Sequence, residues 1–181
     1  MPGSTSLLAE PLGPSLGIQA QLPILLAEYP FRTQQDIADY LHLLQDLPRY
    51  FSDLIALEQE KSRQGVFQND LAVDGIIHQC SAFLADADTP ESHLLHTVFQ
   101  NKLQASSLFS EAERNLCLQT HEKLLTSCVF PAYRSLSDAL SSLRGKGTQN
   151  AGGLSRQEGG LSYYAYLLRS RVGVDASPEE L

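Results

Sequence analysis

Apolar residues recur with a period near 3.6 along most of the chain, which predicts amphipathic helices. The first stripe follows Thr33, a suitable N-cap, and consists of Ile37, Tyr40, Leu41 and Leu44. We expect this helix to run to about Leu47. Pro48 fits the first turn of a second helix, which ends at Gly65, so the two are predicted to form a hairpin or a sharply bent pair.

Four further helices are predicted after this pair. Residues 73–84 carry a third stripe, and residues 89–103 form a fourth helix that opens with threonine and proline. Ser110 and Glu113 form a capping box at the start of the longest element. Pro131 lies inside that element and should kink it or divide it in two, because proline removes one helical hydrogen bond. The stretch LSYYAYLLRSRV predicts the sixth helix.

Three stretches lack a sustained helical period. Residues 1–32 are rich in proline and glycine and predict an extended or irregular lead-in, in which LPILLAEY fits either a short helix or an extended strip. Residues 145–160 predict a flexible surface loop. The final DASPEEL reads as a helix start, with serine at the N-cap and proline at the first position. Since only Leu181 follows that start, we expect these residues to be frayed.

The pattern as a whole predicts one all-α domain of about six helices in an irregular bundle. No segment alternates convincingly with period two, which argues against strands. The predicted organisation is a lead-in over 1–32, a helical bundle over 33–144, a loop over 145–160, and a C-terminal helix over 161–181 that leads into a truncated next helix. The chain is therefore expected to be part of a larger parent protein.

Composition and charge exclude several classes of partner. The 181 residues include 13 basic and 21 acidic side chains, a net charge of -8, so nucleic acid and anionic membrane surfaces would be repelled on average. The longest apolar stretch, LPILLA, is far too short to span a bilayer. The three cysteines are widely spaced within helical patterns, and we interpret them as buried thiols rather than as a disulfide framework.

Histidines supply the first candidate chemistry. His121 and Glu122 look like the start of a zinc-peptidase motif, but no histidine follows one helical turn later, so we interpret the pair as a solvated helix face. His93 and His96 lie three residues apart near several acids. We interpret them as half-exposed histidines at a polar helix start rather than as metal ligands.

Carboxylates give no stronger signal. Asp74 and His78 lie one helical turn apart and are interpreted as a surface hydrogen-bonded pair. Glu58 and Glu60 are interpreted as part of a solvated face. The residues alone therefore predict no catalytic and no metal-binding residue, and they favour a helical scaffold or interaction unit.

Tyr163 and Tyr164 are the candidate substrate-binding residues. They precede Arg169 and Arg171 on one helix, and phenol hydroxyls with guanidinium groups can line a site for carboxylates or peptides. The alternative is that Tyr164 and Leu168 pack inward while Tyr163 covers a groove.

Three long stretches resemble a known bacterial family, called domain of unknown function 885 (DUF885). They are GIQAQLPILLAEYPFRTQQDIADYLHLLQDLPRYF, VFPAYRSLSDAL and GGLSYYAYLLRSRVGVDASPEEL. The resemblance covers roughly residues 8–181 and is loose between Asp70 and Glu111. Members are longer, largely helical chains that look like zinc metallopeptidases of the gluzincin type, marked by a His-Glu motif, a downstream histidine and a later Glu ligand.

The resemblance implies a role for the parent protein rather than for this chain. The zinc motif is absent here, so zinc is implied only for the full-length parent, and no metal or catalytic residue is carried over. We expect a non-catalytic scaffold that forms one wall of a peptide-binding cleft, with Tyr163 and Tyr164 on that wall and the rest of the catalytic domain as its partner. The alternative is a self-contained helical module for protein–protein interaction. Exported forms occur in the family, so the compartment stays open.

Overall fold

The computed structural model describes residues 5–147, 154 and 157–174, and within them the chain is all-α, as predicted. Seven α-helices lie in these residues: α1 (Ile18–Glu28), α2 (Gln34–Arg63), α3 (Asp70–Phe83), α4 (Leu94–Ala105), α5 (Glu111–Leu124), α6 (Phe130–Leu143) and α7 (Gly160–Leu167). Short 3-10 turns lie at Thr5–Leu8 and Pro90–Ser92, and π-helical turns at Leu125–Val129 and Leu168–Val172. None of these helices is long and apolar enough to cross a membrane.

Helix α2 is the central helix of the bundle. It packs against α5, the first π-helical turn and α6, while α3 covers α6 and α4 lies between α1 and α5. Its buried face is one continuous stripe along the whole helix, formed by Ile37, Tyr40, Leu44, Leu47, Phe51, Leu54, Glu58 and Lys61. Thr33 and Asp36 form the capping box that starts the helix. The stripe thus carries aromatic groups near its start and a charged pair near its end.

The lead-in is more ordered than the sequence predicts. We expected an extended or irregular stretch over residues 1–32, but α1 occupies much of it, with Pro23 inside the helix. Proline at that position leaves the carbonyl of Gln19 without its usual N–H donor. The hydroxyl of Tyr133 on α6 donates to this carbonyl at 3.0 Å, so a distant side chain replaces the lost bond. Of the two conformations considered for LPILLAEY, the helix is the one adopted.

Pro48 does not divide α2, although the sequence suggested two helices joined at that residue. The helix continues through it from Gln34 to Arg63. A proline inside a helix costs about 3 kcal/mol, whereas burial of each large apolar side chain contributes about 1.5–3 kcal/mol. Leu44, Leu47 and Phe51 are buried on both sides of the proline. The free energy gained by burying these side chains on one helix therefore exceeds the cost of the lost hydrogen bond.

Pro131 divides the long helical element, as predicted. The π-helical turn Leu125–Val129 separates α5 from α6, and the Phe130 N–H bonds to the carbonyl of Leu125, five residues back. A π-helical turn inserts one residue into the helix and shifts its hydrogen bonds, which accommodates a residue that cannot donate. The division keeps both halves packed along α2.

The C-terminal part places α7 against the N-terminus. Helix α7 contacts the 3-10 turn Thr5–Leu8, so the two ends of the described chain meet. Gly160 opens α7 where a Cβ atom would clash with the Leu154 carbonyl oxygen, so only glycine fits. Half of the predicted loop over 145–160 and all of the predicted cap DASPEEL lie outside the described residues.

Candidate functional site

A groove lies where the N-terminal segment (residues 8–18), the α2–α3 connection and α7 meet. Its volume is about 970 Å³, and its lining residues are Leu8, Ala9, Glu10, Pro11, Leu16, Ile18, Val66, Phe67, Gln68, Asn69, Leu154, Gln157, Tyr163, Leu167 and Arg171. Its lining combines apolar side chains with amide, phenol, carboxylate and guanidinium groups. Pockets that bind organic ligands have this kind of mixed lining.

The two candidate tyrosines are separated by the fold. Tyr163 lines the groove and is half-buried, whereas Tyr164 is 42% exposed and lies outside it. Leu168 is buried, so of the pair considered for inward packing only the leucine faces the core. Tyr166 stacks on Tyr163 with ring centroids 6.0 Å apart. Only Tyr163 is therefore positioned to touch a ligand in the groove.

Charges of both signs act on the Tyr163 hydroxyl. Burial raises its pKa, and the neighbouring Tyr166 and Glu10 raise it further, while Arg171 opposes them. The hydroxyl consequently stays protonated at neutral pH and can donate a hydrogen bond. Arg171 adds a planar cationic donor from the same wall.

A buried ion cluster stands behind the groove wall. The Lys61 ammonium lies 3.0 Å from a carboxylate oxygen of Glu10 and 3.5 Å from one of Glu58, and it donates to the Ala9 carbonyl at 3.2 Å. The solvated face expected for Glu58 is wrong, because Glu58 and Lys61 are both 0% exposed. Burial raises the pKa of Glu58 to about 7 against the opposing attraction of Lys61.

The sequence contained a usable signal for this cluster. Glu58 and Lys61 follow Leu54 at helical spacing on the buried stripe of α2, so their register places them inside. A charged residue is almost never fully buried unless it is paired, and the pairing group, Glu10, lies in a segment predicted to be irregular. Sequence reasoning therefore missed the pair.

His121 is buried rather than solvated, which corrects the sequence interpretation. Its ring is 0% exposed and lies flat on Phe99, with centroids 4.2 Å apart and an interplanar angle of 6°. Its Nε2 is 3.2 Å from the Tyr40 hydroxyl. Burial and the nearby His96 and His93 lower the pKa of His121 to about 3, so the ring is neutral. It acts as an aromatic core residue.

His93 and His96 are buried as well, not half-exposed. His93 caps α4: its Nδ1 accepts from the Leu95 N–H at 3.3 Å, and its Nε2 donates to the Phe83 carbonyl at 3.0 Å. The ring of His96 lies 5.6 Å from that of His121. Among the described residues no three His, Cys, Asp or Glu side chains are arranged to hold a metal.

Asp74 has a different partner from the one expected. Its carboxylate accepts a hydrogen bond from Arg144 at 2.8 Å, which ties α3 to the end of α6, and the predicted pairing with His78 does not form. Both members of the Asp74–Arg144 pair are substantially exposed. The contact is a surface ion pair rather than an active dyad.

The three cysteines are free thiols in two settings. Cys80 is buried, as predicted, while Cys117 and Cys128 are only half-buried. Burial raises the pKa of Cys80 to about 12. That thiol is therefore an inert core group at neutral pH.

Comparison with known proteins places the chain in a family and in a fold. A family model described as "Bacterial protein of unknown function (DUF885)" matches residues 5–181. Among solved structures, the chain is similar to that of "the putative lipoprotein from Colwellia psychrerythraea", with a TM-score of 0.80 and 18% identity. The match covers 94% of this chain and 29% of that one, and at this identity it concerns the fold alone. Among curated proteins, no sequence matches.

Proposed function

The chain belongs to the bacterial DUF885 family, and from that premise we propose that it is a helical scaffold forming one wall of a substrate cleft in a longer zinc-dependent peptidase. It would not catalyse the reaction by itself. The observation that carries the proposal is the groove, in which the Tyr163 hydroxyl and Arg171 lie among apolar side chains. The chain also spans less than a third of the similar solved structure, which leaves room for a catalytic part elsewhere.

The groove suits an extended peptide. Leu8, Leu16 and Leu167 offer apolar surface to side chains, while Tyr163 and Arg171 offer donors to backbone carbonyls or to a terminal carboxylate. The side-chain nitrogen of Gln68 is buried and has no hydrogen-bond partner among the described residues, so a third donor is available there. In this proposal zinc and its ligands come from the remainder of the parent protein.

The test is peptide binding by the purified chain and by matched tyrosine variants. We expect Tyr163→Phe, which removes only the hydroxyl, to weaken binding of a peptide library hit about tenfold, the worth of one good hydrogen bond to a ligand. Tyr164→Phe is the control and should leave binding unchanged, since Tyr164 lies outside the groove. Isothermal titration calorimetry measures both. Equal effects of the two variants would contradict the proposal.

Hydrolysis gives an independent test of the non-catalytic role. The purified chain with added zinc should cleave none of the peptides that it binds. Zinc-dependent cleavage that stops on chelation would show that the chain holds a catalytic centre of its own, and the scaffold role would be wrong.

A second candidate function is a self-contained module that binds a protein partner. It is favoured by exposed apolar side chains outside the groove, among them Leu71 at 84% and Leu116 at 64% exposure. Single exposed leucines are common, whereas a contiguous patch marks an interaction site. Concentration-dependent association in light scattering, lost when Leu71→Ser and Leu116→Ser are combined, would favour the module over the scaffold.

A further inference from the structure

Lys61 ties the N-terminal segment to the last turn of α2. Its ammonium group is fully buried and contacts the Ala9 carbonyl and the Glu10 carboxylate, both of which belong to the segment and line the groove. The third neighbour is Glu58, one helical turn earlier on α2. One cation is thus shared between a fixed carboxylate on the helix and a second carboxylate on the groove wall.

The two carboxylates differ in how they can respond to a change of charge. Glu58 is 0% exposed, and neither of its oxygens has a hydrogen-bond partner among the described residues. The Glu10 side chain is 51% exposed and can turn into water. When Glu58 is ionised, it competes for the ammonium and repels Glu10. The exposed partner is the one that can leave.

Among the described residues, Lys61 is the cation that acts on both carboxylates. The groups that act on Glu58 are Lys61 from its own helix and Glu10 from the segment. From the other side of the groove, Tyr163 of α7 faces Glu10, and Arg171 of the following π-helical turn acts on the Tyr163 hydroxyl. Burial raises the pKa of Glu58 to about 7, so the competition begins near neutral pH.

We propose that Glu58, Lys61 and Glu10 form a pH-dependent latch on the groove wall. With Glu58 protonated, the ammonium holds Ala9 and Glu10 against α2 and the wall is closed. Loss of that proton draws the ammonium towards Glu58 and releases the segment, which widens the groove. The effect on ligand binding rests on the proposed function of the groove, but the latch does not.

Amide hydrogen exchange tests the latch directly, after correction for the intrinsic effect of pH. The Ile18 N–H bonds to the Pro11 carbonyl at 2.9 Å, and because Pro11 directly follows Glu10, this bond reports on the order of the segment. We expect its protection to fall about tenfold between pH 6 and pH 8.5, since proton binding is linked to closure. In Glu58→Gln, which mimics the protonated acid, protection should stay high at both pH values. In Glu10→Gln it should be low at both.

The control variant is Glu60→Gln, because Glu60 is a surface residue paired with Arg63. It should reproduce the wild-type pH dependence. A carbon-13 titration of the glutamate carboxyl groups gives a second readout, in which Glu58 should change charge near pH 7. The latch would be overturned if Glu58 were ionised at every pH between 6 and 8.5, or if protection of the Ile18 amide in the wild type did not change with pH.

Peptide binding separates failure of the latch from failure of the proposed function. If protection of the segment falls as the pH rises but no peptide binds at any pH, the latch is supported and the proposed role as a cleft wall is wrong. If peptide binding depends on the Tyr163 hydroxyl but protection of the segment does not change with pH, the role as a cleft wall is supported and the latch is wrong.

Discussion

The two ends of α2 bury polar groups in opposite ways. Near its start, Tyr40 and His121 are neutral, meet at 3.2 Å and pack among aromatic rings. Near its end, about 30 Å away along the helix axis, Glu58 and Lys61 bury formal charges that only partly satisfy each other. A neutral polar pair fits into a packed core, whereas a charged one makes that end of the helix sensitive to protonation.

This difference gives the two ends opposite dependences on pH. The pKa of His121 is lowered from 6.5 to about 3, so its stabilising contribution is complete above pH 6.5 and is lost as the pH falls towards 3. The pKa of Glu58 is raised from 4.5 to about 7, so its contribution is complete below pH 4.5 and is lost as the pH rises through 7. Between pH 4.5 and 6.5 the two contributions oppose each other.

Removal of the buried cation should have the largest effect. Lys61→Met leaves Glu58 buried without its partner, and we expect a loss of about 3–5 kcal/mol in the free energy of unfolding at pH 8. The loss should be smaller at pH 5, where Glu58 is protonated. Urea titrations at the two pH values measure it. Arg63→Met is the control, since Arg63 forms an exposed ion pair, and it should cost less than about 1 kcal/mol.

An equal loss at both pH values would change the interpretation of this end of the helix. It would show that Lys61 contributes through the packing of its aliphatic chain rather than through its charge. The contrast between the charged and the neutral end would then disappear.

The neutral end should respond chiefly to loss of volume. His121→Ala removes a ring that lies flat on Phe99, and we expect a loss of about 2–4 kcal/mol. His121→Phe keeps the ring and should cost less, about 1–2 kcal/mol, because only the partner of the Tyr40 hydroxyl is lost. The phenylalanine variant should also lose less stability than the wild type between pH 6.5 and 3. Identical pH profiles would show that His121 does not titrate as inferred.

The helices themselves were largely predictable, since their periods are local. Residues 73–84 and the capping box at Ser110 predicted α3 and α5, and Pro131 marked the division of the long element. Pro48 was taken as the start of a second helix and is not, and Pro23 lies inside α1 although the lead-in around it was predicted to be extended or irregular. For Pro23 the compensating donor is Tyr133, more than a hundred residues away, and no local pattern contains that contact.

The site was predictable only in part. A cluster of tyrosines near arginines singled out Tyr163 and Tyr164. Which of the two lines the groove depends on which face of α7 packs against Thr5–Leu8. The burial of Glu58 follows from its helical spacing to the apolar residues of the α2 stripe, but its charge led us to assign it to the surface. His121 was misjudged for the same reason: a polar residue was assigned to solvent although aromatic neighbours from α2 and α4 enclose it.

A third buried polar contact is neutral and should behave like the start of α2. Tyr133→Phe removes the donor to the Gln19 carbonyl that Pro23 leaves free, and we expect a loss of about 1–3 kcal/mol, equal at pH 5 and pH 8. Pro23→Ala restores a backbone N–H at that carbonyl. In a double-mutant cycle the phenylalanine substitution should therefore cost less on the alanine background. Additive losses would mean that the hydroxyl does not replace the missing helical bond.

The smallest effect should come from the exposed ion pair of Arg144 and Asp74. Its groups are as close as 2.8 Å, nearer than Lys61 is to Glu58, but their side chains are 57% and 46% exposed. Water and salt screen such a pair, so Arg144→Gln should cost less than about 1 kcal/mol, and the coupling between Arg144→Gln and Asp74→Asn should vanish near 1 M salt. A coupling above about 2 kcal/mol that survives salt would show that distance rather than burial sets the strength of ion pairs in this fold. In that case the buried pair of Glu58 and Lys61 would not be a different kind of interaction from the exposed pair of Arg144 and Asp74.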